Sequence, residues 1–98
     1  MSDDTSDLRR RAESGDPIAQ SELGFAYAAG KGVATDYAEA VVSFRRASEQ
    51  GDTNAAYNLA VAYEEGDGVS SDLPAAIRWF TLAAEAGHPS ALFNLGNH

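Results

Sequence analysis

The chain is 98 residues long, 44% hydrophobic, carries a formal net charge of -8 and has no cysteine. One domain with a modest core fits that length, and the apolar fraction excludes global disorder. The negative field opposes nucleic-acid phosphates and anionic membrane surfaces, and the missing thiols exclude a disulfide framework and thiolate metal sites.

The acidic start, Met1-Ser2-Asp3-Asp4, is followed by no apolar run. It does not read as a signal peptide, no stretch is long enough to span a bilayer, and a cytoplasmic location is expected. Residues 1–15 predict a lone helix with Leu8 on its apolar side. Asp3, Asp4 and Asp7 fall near its positive N-terminal end, which is favourable, and Arg9, Arg10 and Arg11 give it a polar outer face.

Residues 16–51 predict two helices. Asp16 is an N-cap candidate and Pro17 stands at the first helical position, where a missing N–H costs nothing. Ala19, Leu23, Ala26 and Tyr27 then share one face at about 100° per residue, and Gly30 can take the left-handed conformation that ends a helix. After the loop 30–36, Asp36 caps the second helix, with Glu39 three residues on as the partner of a capping box. That helix buries Ala40, Phe44 and Ala47 and stops at Gly51.

Residues 52–87 repeat this logic 36 positions later. Asp52 and Asp72 are the caps, Ala55, Leu59, Ala62 and Tyr63 the first stripe, and Ala76, Phe80 and Ala83 the second. Small residues alternate with large ones at matched positions, so each helix pair can close into an antiparallel hairpin. Residues 88–98 open a truncated third copy through Ala91 and Leu95. The whole is one repeat domain, 1–98, of about six helices: half a repeat, two repeats (16–51 and 52–87) and a third cut short. A fixed period of this size marks a stacked-repeat architecture, whose units cannot bury their apolar faces alone.

The pattern Ala-x3-Leu-Gly-x2-Tyr-x2-Gly-x-Gly-Val-x2-Asp, then Ala-x3-Phe-x2-Ala and Gly, resembles the Sel1-like repeat. It is carried by Ala19, Leu23, Gly24, Tyr27, Gly30, Gly32, Val33, Asp36, Ala40, Phe44, Ala47 and Gly51. The second copy differs only in Ala60, which replaces the glycine at Gly24. The Gly-x-Gly-Val loop and the period separate it from the 34-residue tetratricopeptide repeat. The resemblance implies an all-α, right-handed solenoid of antiparallel helix pairs. It further implies an adaptor of the kind used in signalling, in protein quality control and in bacterial contact with hosts. One secreted branch carries a disulfide in each repeat and is linked to β-lactam binding. This chain has no cysteine, and that association is not carried over.

Other motifs fail on inspection. Gly30-Lys31-Gly32 is no phosphate loop, because Phe25 stands where the first glycine is needed and Gly32 where Ser or Thr is. A Gly-x-Gly-x-x-Gly reading fails at Thr35. His88, at the position of the caps Asp16 and Asp52, suits a cap or loop role better than ligation, and no spacing with His98 supports a metal. There is no Gly-x-Ser-x-Gly turn, and the run Glu64-Glu65-Gly66-Asp67 reads as a solvated helix end. Arg9, Arg10, Arg11, Arg45 and Arg46 could form a basic stripe, but a solvated face paired with nearby acids explains them. No catalytic group, cofactor or metal is expected.

What remains is a second face on the first helix of each pair. With Ala19 at zero, Ser21 and Phe25 fall near 200–240° at 100° per residue, away from the core. Ile18, Ser21, Phe25, Asn54, Tyr57, Val61, Glu64 and Phe93 share this face, which lines the concave groove in tetratricopeptide-like solenoids. The structural core is assigned to Leu23, Tyr27, Phe44, Leu59, Tyr63, Phe80 and Leu95. The expected function is a non-enzymatic interaction module that holds a protein or peptide segment in this groove. Apolar or basic segments are favoured, since Glu64 and Glu65 lie there and no Lys or Arg does. The alternatives are a homodimer or assembly subunit built on the uncovered helix with Leu92, Phe93 and Leu95, and, more remotely, a hydrolase.

Overall fold

The computed structural model describes residues 4–88, which form five helices and, among the described residues, no strand. They are α1 (Asp4–Glu13), α2 (Pro17–Ala29), α3 (Tyr37–Glu49), α4 (Thr53–Glu65) and α5 (Leu73–Glu85). The sixth helix expected from the repeat, together with Phe93 and Leu95, lies outside the described residues.

Four aspartates start the four paired helices. Asp16 accepts from the backbone N–H groups of Ile18 and Ala19, Asp36 from Glu39, Asp52 from Ala55 and Asp72 from Ala75. Each satisfies an N–H that the helix itself cannot. The capping box expected at Glu39 does not close. The Asp36 N–H that it would bind donates instead to the carbonyl of Tyr27 at 2.9 Å, and the Asp72 N–H donates to Tyr63 at the same distance. Each loop is thus tied back to the helix before it. At the other end, α2 and α4 stop at Gly30 and Gly66, both left-handed (φ 72° and 76°). Because Asp52 is the only side chain capping α4 among these bonds, Asp52→Ala is expected to cost about 1 kcal/mol, read from urea unfolding.

The helices pack in chain order, α1 on α2, α2 on α3, α3 on α4 and α4 on α5. α2 also touches α4 across the stack, and the array extends over 45 × 23 × 17 Å. The core follows the repeat. One cluster joins Ala40, Val41, Phe44 and Ala47 of α3 to Ala55, Leu59 and Ala62 of α4. A second joins Ala56 and Ala60 of α4 to Ala76, Phe80 and Ala83 of α5. A smaller one links Ala12 of α1 to Ala19 and Leu23 of α2. Leu23, Phe44, Leu59 and Phe80 are buried, whereas Tyr27 and Tyr63 are half-buried. Tyr63 keeps its hydroxyl at the edge of the core, where it accepts a hydrogen bond from Arg45 Nη2 at 2.6 Å. Gly24 allows α2 and α3 to close. A Cβ there would stand 2.7 Å from the Phe44 ring.

Polar groups tie the stack at its ends. Gln20 is buried and donates from Nε2 to the Ala12 carbonyl at 2.9 Å. Its Oε1 accepts from Gln50 Nε2 at 2.8 Å, so one side chain links α1, α2 and the end of α3. The basic stripe is partly neutralised. Arg10 and Arg11 pair with Asp7, and Arg11 reaches Glu22 of α2 at 3.7 Å. These pairs are exposed and contribute at most about 1 kcal/mol each.

Candidate functional site

The loops, not only the helices, shape the surface. The loop after α4 lies on the start of α3, with Gly68 so close that a Cβ would stand 2.4 Å from the Tyr37 carbonyl oxygen. The first loop lies on α1 in the same way, where Thr5 Oγ1 donates to the Gly32 carbonyl at 3.4 Å. Stacking of the second loop carries Asp67 to the rim of a hollow between the two repeats.

That hollow is a pocket of about 270 Å³. α2 supplies Phe25, Ala28 and Ala29, and α3 supplies Tyr37, Ala40, Val41 and Phe44. α4 adds Asn58, Val61 and Ala62, and the following loop adds Asp67. The lining is mostly hydrocarbon because Ala28 and Ala29 are small where the second repeat has Glu64 and Glu65. Phe25 and Tyr37, 53% and 45% exposed, stand at the mouth. Lys31 Nζ sits 5.5 Å from the centre of the Phe25 ring, a cation–π contact. Asn58 and Asp67 are the polar points of the lining, and neither side chain has a hydrogen-bond partner among the described residues.

The face read from the sequence divides. Phe25 and Val61 meet in the pocket. Ile18, exposed, and Ser21, half-buried, lie on α2 toward its start, one to two turns from Phe25. Tyr57 is half-buried, tilted against Phe80 with ring centroids 5.7 Å apart and stacked on His88 at 4.7 Å. Asn54 is exposed, and its Oδ1 lies 3.0 Å from His88 Nε2. These two residues therefore pack with His88, just past the end of α5. Glu64 is half-buried near the end of α4, and Phe93 lies outside the described residues. Sequence periodicity missed Tyr37, Asn58 and Asp67. Asn58, a carboxamide in the middle of an otherwise apolar and small helix segment, was the available signal.

The described residues hold no cluster of three or more His, Asp or Glu able to bind a metal, and no helix of theirs is long and apolar enough to cross a membrane. The pocket can therefore grip an apolar group and offer it one amide and one carboxylate.

Comparison with known proteins agrees with the all-helical repeat fold. The Sel1 repeat family model matches residues 17–52 and 53–88. A protective antigen present in uropathogenic Escherichia coli strains, which displays an SLR fold, superposes with a TM-score of 0.90 at 42% identity over 92% of this chain. A Sel1 repeat protein from Oxalobacter formigenes does so with a TM-score of 0.90 at 39% identity, also over 92%. The chain spans 19% and 26% of the lengths of those two proteins. A search of curated proteins gives no significant match. Sel1 repeat proteins are generally protein-interaction modules, on a scaffold that is typically not catalytic. With two consecutive repeats matched, and with the caps, glycine loops and alternating core all in register, the chain belongs to the Sel1 repeat family.

Proposed function

We propose that this chain is a non-enzymatic interaction module that holds a polypeptide segment on its concave face, anchored in the pocket between the two repeats. The supporting observation is the pocket itself: apolar, built jointly by both repeats, and flanked by half-exposed Phe25 and Tyr37. An aromatic or large aliphatic side chain is the natural anchor, since exposed aromatic groups beside a pocket concentrate binding energy. Asn58 can bond the backbone of the bound segment. Asp67 in the lining, with Glu64 and Glu65 beyond it, favours a basic residue next to the anchor. Lys31 is held over the Phe25 ring at the mouth.

Selection from a random peptide library on the immobilised protein tests this reading. The expected outcome is a motif with one bulky apolar residue flanked by Lys or Arg. Phe25→Ala and Val61→Asn should each weaken the selected peptide by about 1–2 kcal/mol, roughly 5- to 30-fold. Phe25→Ala should leave the unfolding midpoint nearly unchanged, because the ring is half exposed. Selection of acidic peptides, or binding indifferent to both substitutions, contradicts the proposal.

A further inference from the structure

The two repeats differ at one matched position in a way that exposes a second site. Trp79 of α5 is the only tryptophan of the chain. It packs between the α3–α4 cluster and the α4–α5 cluster, against the surface that holds Leu59 and Tyr63. Arg45 lies over the Tyr63 ring, 5.8 Å from its centre. Subtracting 36 from each number gives Ser43, Leu23, Tyr27 and Arg9. These four residues, with Glu39 and Arg46, line an open slot of about 280 Å³ where α1 and α3 flank α2. The first repeat thus keeps the floor of the tryptophan site, and a serine stands where the indole would be.

We infer that this slot on the face opposite the concave groove receives the indole ring of a tryptophan presented by a partner polypeptide. The chain carries its own record of what fits, because Trp79 occupies the equivalent surface one repeat later. It cannot be the occupant here, since it is already packed in the second repeat. The rim matches an indole chemically. The guanidinium groups of Arg9 and Arg46 have no ion-pair partner among the described residues, and a planar cation beside an aromatic face is attractive. The indole nitrogen only donates. Trp79 Nε1 is buried without an acceptor among the described residues, and one turn earlier on the same helix stands Ala75, which has no side-chain acceptor to offer. The matched residue of the first repeat is Glu39, which lines the slot and brings a carboxylate to accept from an indole N–H there. A tryptophan in the open slot is therefore better satisfied than the one the chain contains.

Titration with acetyl-Gly-Trp-Gly-amide, followed by amide NMR of the whole chain, tests the inference. Saturable shifts are expected at Leu23, Tyr27 and Ser43, with the peptide carrying leucine in place of tryptophan at least about ten-fold weaker. Ser43→Trp should fill the slot from within. It should abolish those shifts and raise the melting temperature by about 4–8 °C. Three results overturn the proposal: no saturable shift at these residues, equal binding of the leucine peptide, or tryptophan-peptide shifts confined to Phe25 and Val61. A Ser43→Trp protein that folds but melts below the parent also contradicts it, because the slot would then not have the shape of an indole. The wild-type titration stands on its own should that variant fail to fold.

Discussion

Phe80→Ala is expected to cost about 3–5 kcal/mol, at the upper end for a single core truncation. Phe80 and Leu59 are the largest fully buried side chains among the described residues. The ring of Phe80 is walled by Ala56, Ala60, Ala76 and Ala83, with Tyr57 tilted against its edge. Alanines on rigid helices have no reach, so any refilling must come from the larger side chains at the margin of the cluster, Tyr57, Val61, Tyr63 and Trp79. A cavity term therefore adds to the lost transfer energy. A domain of this size has about 5–15 kcal/mol in all, so the loss is a large share of the total. Urea unfolding followed by far-UV circular dichroism measures the loss. A cost below about 1 kcal/mol would mean that α4 and α5 do not meet as described. Leu59→Ala, by the same reasoning but with a smaller group, should cost about 2–5 kcal/mol.

The second large effect comes from a backbone contact. Gly68 has φ 78°, and a Cβ there would meet the Tyr37 carbonyl oxygen at 2.4 Å, its carbon at 2.5 Å and the Ala38 nitrogen at 2.8 Å. Gly68→Ala thus incurs the left-handed penalty of about 1–2 kcal/mol and a collision with main chain that no rotamer relieves. Gly51 is the control: its φ is 96°, and a Cβ there meets nothing within 4 Å. Gly51→Ala should show the conformational cost alone, and Gly68→Ala should exceed it clearly in the same unfolding experiment. Because Gly68 holds the loop that places Asp67 at the pocket, its substitution should also weaken selected peptides. Equal costs at the two glycines would remove the loop-on-helix contact from the account.

How much of this was legible in the sequence depends on the kind of contact. Leu23 with Leu59, Phe44 with Phe80, and the four capping aspartates recur as the same residue at the same register. A single chain displays them through its own repeat. Side-chain direction on an isolated helix also placed Phe25 and Val61 on one face. The remainder depends on what one repeat sets against the next. Tyr37 and Asp67 reach the pocket only because a loop stacks on the helix before it, and no helical period contains that information. Tyr57 and Asn54 share the periodicity of Val61, yet His88, past the end of α5, engages them. The capping box at Glu39 satisfied the local pattern and lost to a longer-range bond, from the Asp36 N–H to Tyr27. The open slot lies outside the repeat pattern for the opposite reason. Ser43 and Trp79 differ at matched positions, and the difference creates the slot.

The proposed function puts a partner segment in the pocket between the repeats. Amide NMR mapping of the strongest library-selected peptide on the whole chain locates that segment. Saturable shifts are expected, centred on Phe25, Ala28, Tyr37, Asn58, Val61 and Asp67, and lost together in Val61→Asn. Shifts centred elsewhere on the surface, or unchanged affinity in Val61→Asn, would contradict it.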